Sequence, residues 1–167
     1  MSEIGAIDEA RRLFLDEEHV HGCAETAFVV LKMVYGLPDA ADSSAAMAIN
    51  GGVAHRGGIC GAVAGAAMAV GLLATERIAD HVEAKQAARR ITGRLMDAFE
   101  REYGSSDCLE LIGMEIRTED GHQAFLDSDI WRDRCMRQIE FAIARLAPLA
   151  DRETWERELR ANAERTP

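Results

Sequence analysis

The sequence has little that would interrupt a helix, and it lacks the pattern of a sheet. Three prolines occur in 167 residues, and proline is the residue that most strongly disrupts the interior of a helix. No segment alternates apolar and polar residues over the length of a strand, which argues against a β fold. Apolar residues make up 48% of the chain. We therefore expect one domain with a proper core, and disorder only at the termini.

Positive charge is scarce. The chain has 19 lysines and arginines against 29 aspartates and glutamates, which gives a net charge of −10. Nucleic acids and anionic membranes are bound through basic faces, so we expect neither partner. A secretory signal is also missing, because residues 1–9 are acidic and contain no long apolar stretch. We therefore expect a cytoplasmic protein, in which thiols are kept reduced and disulfides are a poor explanation of the cysteines.

One long run, residues 57–75, carries no charged side chain. It consists mostly of glycine and alanine, which gain little from lipid, so we predict a buried, closely packed helix rather than a membrane span. Within it, Gly61, Gly65 and Ala69 form a stripe of small residues that another helix can approach. That helix belongs either to the same chain or to a second copy. Because a long helix is also predicted at 76–103, we expect a homodimer.

Helical periodicity covers most of the chain. Helices are predicted at residues 3–18, 24–35, 45–49, 59–73, 76–103, 108–112, 130–146 and 152–163. Residues 50–58 form a glycine-rich loop, and residues 113–128 are predicted to be irregular. The predicted fold is all-α, a compact helical bundle with a buried Gly/Ala-rich central helix, in a single domain over residues 1–167.

Four cysteines lie far apart in the sequence. Cys23, Cys60 and Cys108 are placed where predicted helices begin, whereas Cys135 lies within one. A helix N-terminus has unpaired N–H groups and a partial positive charge, which lower the pKa of a thiol and favour the thiolate. Thiolates bind metals and attack disulfides, so the first three cysteines are predicted to form one site. For Cys135 a ligand and a small buried hydrophobic residue are equally good interpretations.

Short metal and nucleotide motifs are absent. No two cysteines have the C-x-x-C spacing of zinc ribbons, so four ligands would have to converge from separate elements of a bundle. The chain also lacks a C-x-x-C-H haem motif, a Glu-x-x-His di-iron pair and a phosphate-loop sequence.

The glycine-rich loop at residues 50–58 precedes Cys60. Its small residues let the backbone approach Cys60 and its ligand, and its N–H groups can donate to sulfur. Four residues are predicted to contact a cofactor: Arg56, Gly57, Gly58 and Gly61. The guanidinium of Arg56 would stabilise a thiolate or an anionic cluster, and the alternative is an ordinary surface arginine.

Three histidines are close in sequence to cysteines: His19, His21 and His55. His21 is near enough to Cys23 to tune or replace a thiolate ligand. For all three, a solvated polar residue is the simpler interpretation. The remaining two, His81 and His122, lie away from any cysteine and are assigned no function.

The cysteines and their neighbours resemble a known pattern. The matching segments are Gly22-Cys23-Ala24, Cys60-Gly61-Ala62-Val63-Ala64-Gly65, Cys108-Leu109-Glu110-Leu111-Ile112-Gly113 and Cys135. Over about residues 10–147 the chain is similar to the bacterial and archaeal family named for its C…CGAxxG…C…C cysteines. This resemblance implies a small helical domain with redox function. A related domain of the split-Soret cytochromes carries an iron–sulfur centre, which implies a cluster held by Cys23, Cys60 and Cys108, with Cys135 or an outside ligand as the fourth.

Three functions remain open. The first is a redox protein whose cysteines hold an iron–sulfur cluster, [2Fe–2S] by preference, and exchange electrons with a partner protein. The second is a metal-free thiol–disulfide oxidoreductase or redox sensor. The third is a structural zinc site or a helical interaction domain. In the first two, the sulfurs of Cys23, Cys60 and Cys108 should lie within about 8 Å of one another.

Overall fold

A computed structural model describes residues 2–163, so Met1 and residues 164–167 of the predicted domain lie outside it. Within this range the fold is all-α, as predicted, and its only β pairing is an isolated bridge between Ile59 and Asp107. The α-helices are α1 Glu3–Phe14, α2 Cys23–Tyr35, α3 Gly61–Arg77, α4 His81–Tyr103, α5 Cys108–Ile112, α6 Glu119–Leu126, α7 Met136–Leu146 and α8 Arg152–Ala163. Short 3₁₀ turns cover Ser44–Ile49 and Ala147–Ala150, and a π-helical turn covers Trp131–Cys135. None of these helices has the length and apolar character needed to cross a membrane.

The bundle is built around α2 and α3. Helix α2 is buried along most of its length, and it packs against α1, α3 and α7. Even the ammonium of Lys32 is buried, and it donates to the carbonyls of Asp39 and Asp42 at 2.7 and 2.9 Å. Hydrogen bonding of this kind offsets the cost of burying the charge. Helix α3, the predicted Gly/Ala-rich helix, is buried between α2 and α4.

The small residues of α3 face α2 of the same chain. A Cβ atom at Gly65 would overlap the carbonyl oxygen of Ala24, and one at Gly61 would overlap Cys23 Sγ. The two helices are therefore in backbone contact near their N-terminal ends. This is the intramolecular alternative, so the stripe does not support the predicted homodimer, which stays a prediction.

The predicted helix at 76–103 is wrong at its start. Helix α3 continues to Arg77, the chain turns at residues 78–80, and α4 begins at His81. Asp80 explains the start, because its carboxylate accepts a hydrogen bond from the N–H of Glu83 at 2.8 Å and so caps the helix. The 23 residues of α4 span about 35 Å.

Other boundaries also differ from the prediction: α3 begins at Gly61 rather than at residue 59, and residues 131–135 of the predicted helix 130–146 form the π-helical turn. The first helix ends at Phe14 rather than near residue 18. The segment predicted to be irregular, residues 113–128, contains α6, whose first turn is capped by the hydroxyl of Thr118. None of the residues of α6 is fully buried, so its sequence lacks the apolar stripe that would have revealed it.

Candidate functional site

Three of the cysteines lie at the N-terminal ends of α2, α3 and α5, and Cys135 joins them from the start of α7. Cys23, Cys108 and Cys135 line one cavity of about 230 Å³. Cys60 lies beside it, directly before Gly61, the residue that touches Cys23 Sγ. All four thiols are free, and each of the other three is close enough to Cys23 for the two to interact electrostatically.

The β bridge fixes the relative positions of Cys60 and Cys108. Cys60 N donates to the carbonyl of Ser106 at 2.7 Å, and Cys108 N donates to the carbonyl of Gly58 at 2.7 Å. Each cysteine directly follows a residue of the Ile59–Asp107 pair, so both side chains project from the same face of the bridge. The two cysteines lie diagonally across the bridge from each other. Residues placed in this way have Cβ atoms roughly 7 Å apart or less.

Backbone N–H groups surround Cys23 Sγ. They come from Cys23 and Ala24 at the start of α2, from Gly51 in the loop and from Gly61 at the start of α3. Cys60 is the N-cap of α3, and its sulfur is near the N–H groups of Ala62 and Val63. These donors favour the thiolate, as the placement at helix starts predicts.

Burial nevertheless dominates the ionisation of the thiols. It raises the pKa of Cys23, Cys60 and Cys135 above the ordinary value and that of Cys108 to about 12. Neighbouring thiolates raise the pKa values of Cys60, Cys108 and Cys135 further. The predicted lowering of the pKa values of Cys23, Cys60 and Cys108 is therefore wrong for the metal-free protein, because the desolvation cost exceeds the effect of the helix N-termini.

A partly buried polar network, which is not predicted from the sequence, fixes the start of α2. Asn50 Oδ1 accepts a hydrogen bond from Ala24 N at 2.9 Å, and its Nδ2 donates to Glu25 at 2.8 Å. The carboxylate of Glu25 also accepts from Gly22 N at 3.0 Å and from Ser43 Oγ at 2.9 Å. The spacing of Gly22 and Glu25 is that of a capping box, the one local signal that pointed to this network.

Five consecutive residues, Gly51 to His55, have positive φ angles between 52° and 68°. A left-handed conformation costs about 1–2 kcal/mol for each non-glycine residue, and Val53, Ala54 and His55 all adopt it. Hydrogen bonds from Gly57 N to Gly51 O and from Gly58 N to Gly52 O, 3.1 and 3.0 Å long, close the loop. The loop directs the imidazole of His55 into the cavity. Strain of this kind persists only where surrounding contacts hold it.

Four of the five histidines line the same cavity: His19, His21, His55 and His122. The rings of His55 and His122 are stacked with their centroids 4.5 Å apart. Burial and the neighbouring imidazoles of His55 and His19 lower the pKa of His122. His122 has no predicted function, because its place at the cavity depends on α6, which the sequence does not predict.

The predicted cofactor-contacting residues have structural roles around the cavity. Arg56 is exposed and does not line it. Gly57 and Gly58 accept hydrogen bonds from Leu109 N and Cys108 N, and so hold α5 against the loop. Gly61 is the closest of the four to a thiol, because it packs on Cys23 Sγ.

The described residues contain no group of three or more His, Cys, Asp or Glu side chains placed to hold a metal ion. The donor set still fits an iron–sulfur cluster chemically, since such clusters are held by four cysteine thiolates. The N–H groups around Cys23 are of the kind that donate to cluster sulfur. A cluster would therefore require the thiols to move closer than they are in this structure.

The sequence matches the model of a family described as "Putative redox-active protein (C_GCAxxG_C_C)" over residues 21–149. This region contains α2 to α7 and all four cysteines. No curated protein and no solved structure matches the chain.

Proposed function

Since the chain belongs to the C_GCAxxG_C_C family of redox-active proteins, we propose that its four cysteines hold an iron–sulfur cluster that transfers electrons. The observation that carries this proposal is the convergence of the cysteines. Three thiols from separate parts of the chain line one cavity and that of Cys60 lies beside it. Among the described lining residues of the cavity there is no lysine or arginine. Burial and mutual repulsion make it unfavourable for the four thiols to ionise. The thiolates therefore form only when positive charge is bound next to them.

The ionisation of the thiols supports a bound cluster over bare thiols. Because burial raises the pKa of all four, the metal-free site is protonated at neutral pH. A protonated thiol is a poor nucleophile. A cluster held by the four cysteines would supply the positive charge of its iron, which stabilises the thiolates, and would accept and give the exchanged electron.

Each residue has a defined part in this proposal. Cys23, Cys60, Cys108 and Cys135 are the ligands. The N–H groups of Gly51 and Gly61 donate to the sulfur of Cys23, while Asn50 holds the start of α2 in position. We further propose a [2Fe–2S] cluster, a cytoplasmic location and a partner protein that gives or accepts the electron.

A second function is favoured by one observation. Cys60 and Cys108, which each follow a residue of the Ile59–Asp107 bridge, project from the same face of it. Oxidation of this pair would form one S–S bond and release two protons and two electrons to an acceptor disulfide, which is reduced to two thiols. This is the metal-free dithiol function.

Serine variants of the cysteines test the proposal. In protein purified without oxygen, Cys23→Ser, Cys60→Ser, Cys108→Ser and Cys135→Ser should each lose visible absorption and most of the iron. Leu109→Ala is the control, since Leu109 adjoins Cys108 but is 43% exposed, and it should retain both. Equal iron content in all five variants would contradict the proposal. Colourless wild-type protein with a reversible Cys60–Cys108 disulfide would establish the second function instead.

A further inference from the structure

Two groups of rings line the cavity beside the cysteines. In the first, Trp131 contacts Phe14 and His19 edge-on, with ring centroids 5.9 and 4.7 Å apart. In the second, His122 stacks on His55 at 4.5 Å and on Phe125 at 6.4 Å. All six rings line the cavity. Flat aromatic walls suit a planar ligand, which can stack on them or meet their edges.

The residues that line the cavity can form hydrogen bonds with a ligand, but they offer no free charged side chain to pair with a charged one. Among the described lining residues there is no lysine or arginine, and Glu25 is the one carboxylate. Both oxygens of Glu25 already accept hydrogen bonds, one from Ser43 and the other from Gly22 N and Asn50. A neutral imidazole, in contrast, has one N–H donor and one acceptor nitrogen. The lowered pKa of His122 agrees with a neutral ring at physiological pH.

The protein maintains this lining against backbone strain. His55 reaches the cavity from the left-handed segment Gly51–His55, in which three of the five residues are not glycine. The ring of His55 packs against Gly51, where a Cβ atom would overlap it. A solvated surface histidine would need neither the strained loop nor the small residue. Backbone strain of this kind is concentrated at functional sites.

The size of the cavity limits the ligand. Its volume is about 230 Å³, whereas a cavity of about 150 Å³ holds one benzene molecule. We propose that this cavity binds a small, uncharged, planar molecule of about one ring, next to the thiols of Cys23, Cys108 and Cys135. His55 and His122 provide its hydrogen bonds. The inference goes beyond the proposed function, since it assigns a ligand to the cavity that is distinct from the partner protein of the redox site.

Phenol is the probe for this site, because it is planar, carries one hydrogen-bonding group and is uncharged at neutral pH. Cyclohexanol has the same size and hydroxyl group but is not planar, and benzoate is planar but charged. Each is titrated into the full-length protein while the imidazole signals are followed by NMR. Phenol should shift the signals of the four cavity histidines saturably and leave exposed His81 unchanged. Cyclohexanol and benzoate should bind at least about 10-fold more weakly.

Two variants locate the binding. His122→Phe keeps a ring in the stack but removes its nitrogens, so the affinity for phenol should fall about 10-fold. His81→Phe is its control and should have no effect. Leu126→Trp places a larger side chain on a half-buried lining position, and it should abolish binding while the far-ultraviolet circular dichroism stays unchanged.

Several results would overturn the inference: no saturable shifts with phenol, equal binding of cyclohexanol, tighter binding of benzoate, or unaltered phenol binding in Leu126→Trp. Iron content measured on the same samples separates the two proposals. Iron-loaded protein that does not bind phenol would overturn this inference alone. Protein that binds phenol but never carries iron would overturn the proposed cluster and leave the binding site standing.

Discussion

At the scale of single residues, each thiol is subject to two opposing effects. Helix starts and loop N–H groups stabilise the thiolates of Cys23 and Cys60, whereas burial destabilises them. Burial dominates, because removing a charge from water costs more than a few N–H dipoles return. The metal-free site therefore keeps its protons, and the thiolates form when a positively charged partner is bound.

The raised pKa values predict how the stability of the metal-free protein depends on pH. An unfolded thiol has a pKa of about 8.5, whereas burial raises the pKa of Cys108 in the folded protein to about 12. Above the lower value the unfolded chain binds fewer protons than the folded one, so the free energy of unfolding falls as pH rises. Each such thiol contributes a loss of up to about 1.4 kcal/mol per pH unit in this range.

Urea unfolding at pH 7.5 and pH 10 measures this effect. Tyrosines and lysines also titrate at alkaline pH, so the informative quantity is the difference between wild type and Cys108→Ala. The wild-type protein should lose more stability than the variant between the two pH values. Equal losses would mean that Cys108 is not buried as a protonated thiol.

At the scale of elements, the contact between α2 and α3 brings Cys23 and Cys60 together. Gly65 makes this contact possible, because a Cβ atom there would overlap the Ala24 carbonyl. Gly71 lies on the same helix, but nothing is within 4 Å of its Cβ position. The two glycines therefore lie in the same helix, but α2 packs closely against only one of them, Gly65.

Alanine substitutions at these two glycines should have opposite effects. Gly65→Ala overpacks the helix contact and should lower the free energy of unfolding by about 1–3 kcal/mol. Gly71→Ala should raise it by about 0.5–1 kcal/mol, because alanine is the better helix former. Chemical denaturation of both variants decides this, and equal stabilities would show that α3 does not approach α2 so closely.

In the loop that follows Asn50, glycine is the better residue and alanine the worse one, because the backbone is held in a left-handed conformation. Ala54 is exposed and has a φ angle of 52°, which glycine adopts more readily than alanine. Ala54→Gly should therefore leave the stability unchanged or raise it by up to about 1 kcal/mol.

Ala124→Gly is the matched substitution in a right-handed helix. Ala124 is exposed in α6, so its replacement should lower the stability by about 1 kcal/mol. Thermal unfolding of both variants gives the comparison. A loss at position 54 as large as that at position 124 would show that the loop is not left-handed.

At the scale of the whole molecule, local signals predicted the helices, and the arrangement of the site depended on tertiary structure. The residues next to Cys23 and Cys108 carry the local signals of a helix start, so these two helix starts could be predicted from the sequence. The approach of His122 to His55 depends on α6, which has no buried stripe to predict it. The direction of the thiol pKa shifts depends on burial, which is a property of the assembled bundle. For the same reason, the sequence could not tell that the stripe of α3 would be filled by α2.

The central claim is that the four thiols act together as the ligands of one iron–sulfur cluster. The most direct measurement is the iron and acid-labile sulfide content of wild-type protein purified without oxygen. We expect iron and sulfide in equal amounts, about two of each per chain for a [2Fe–2S] cluster. Protein that contains neither iron nor sulfide, or that binds a single zinc ion without sulfide, would contradict it.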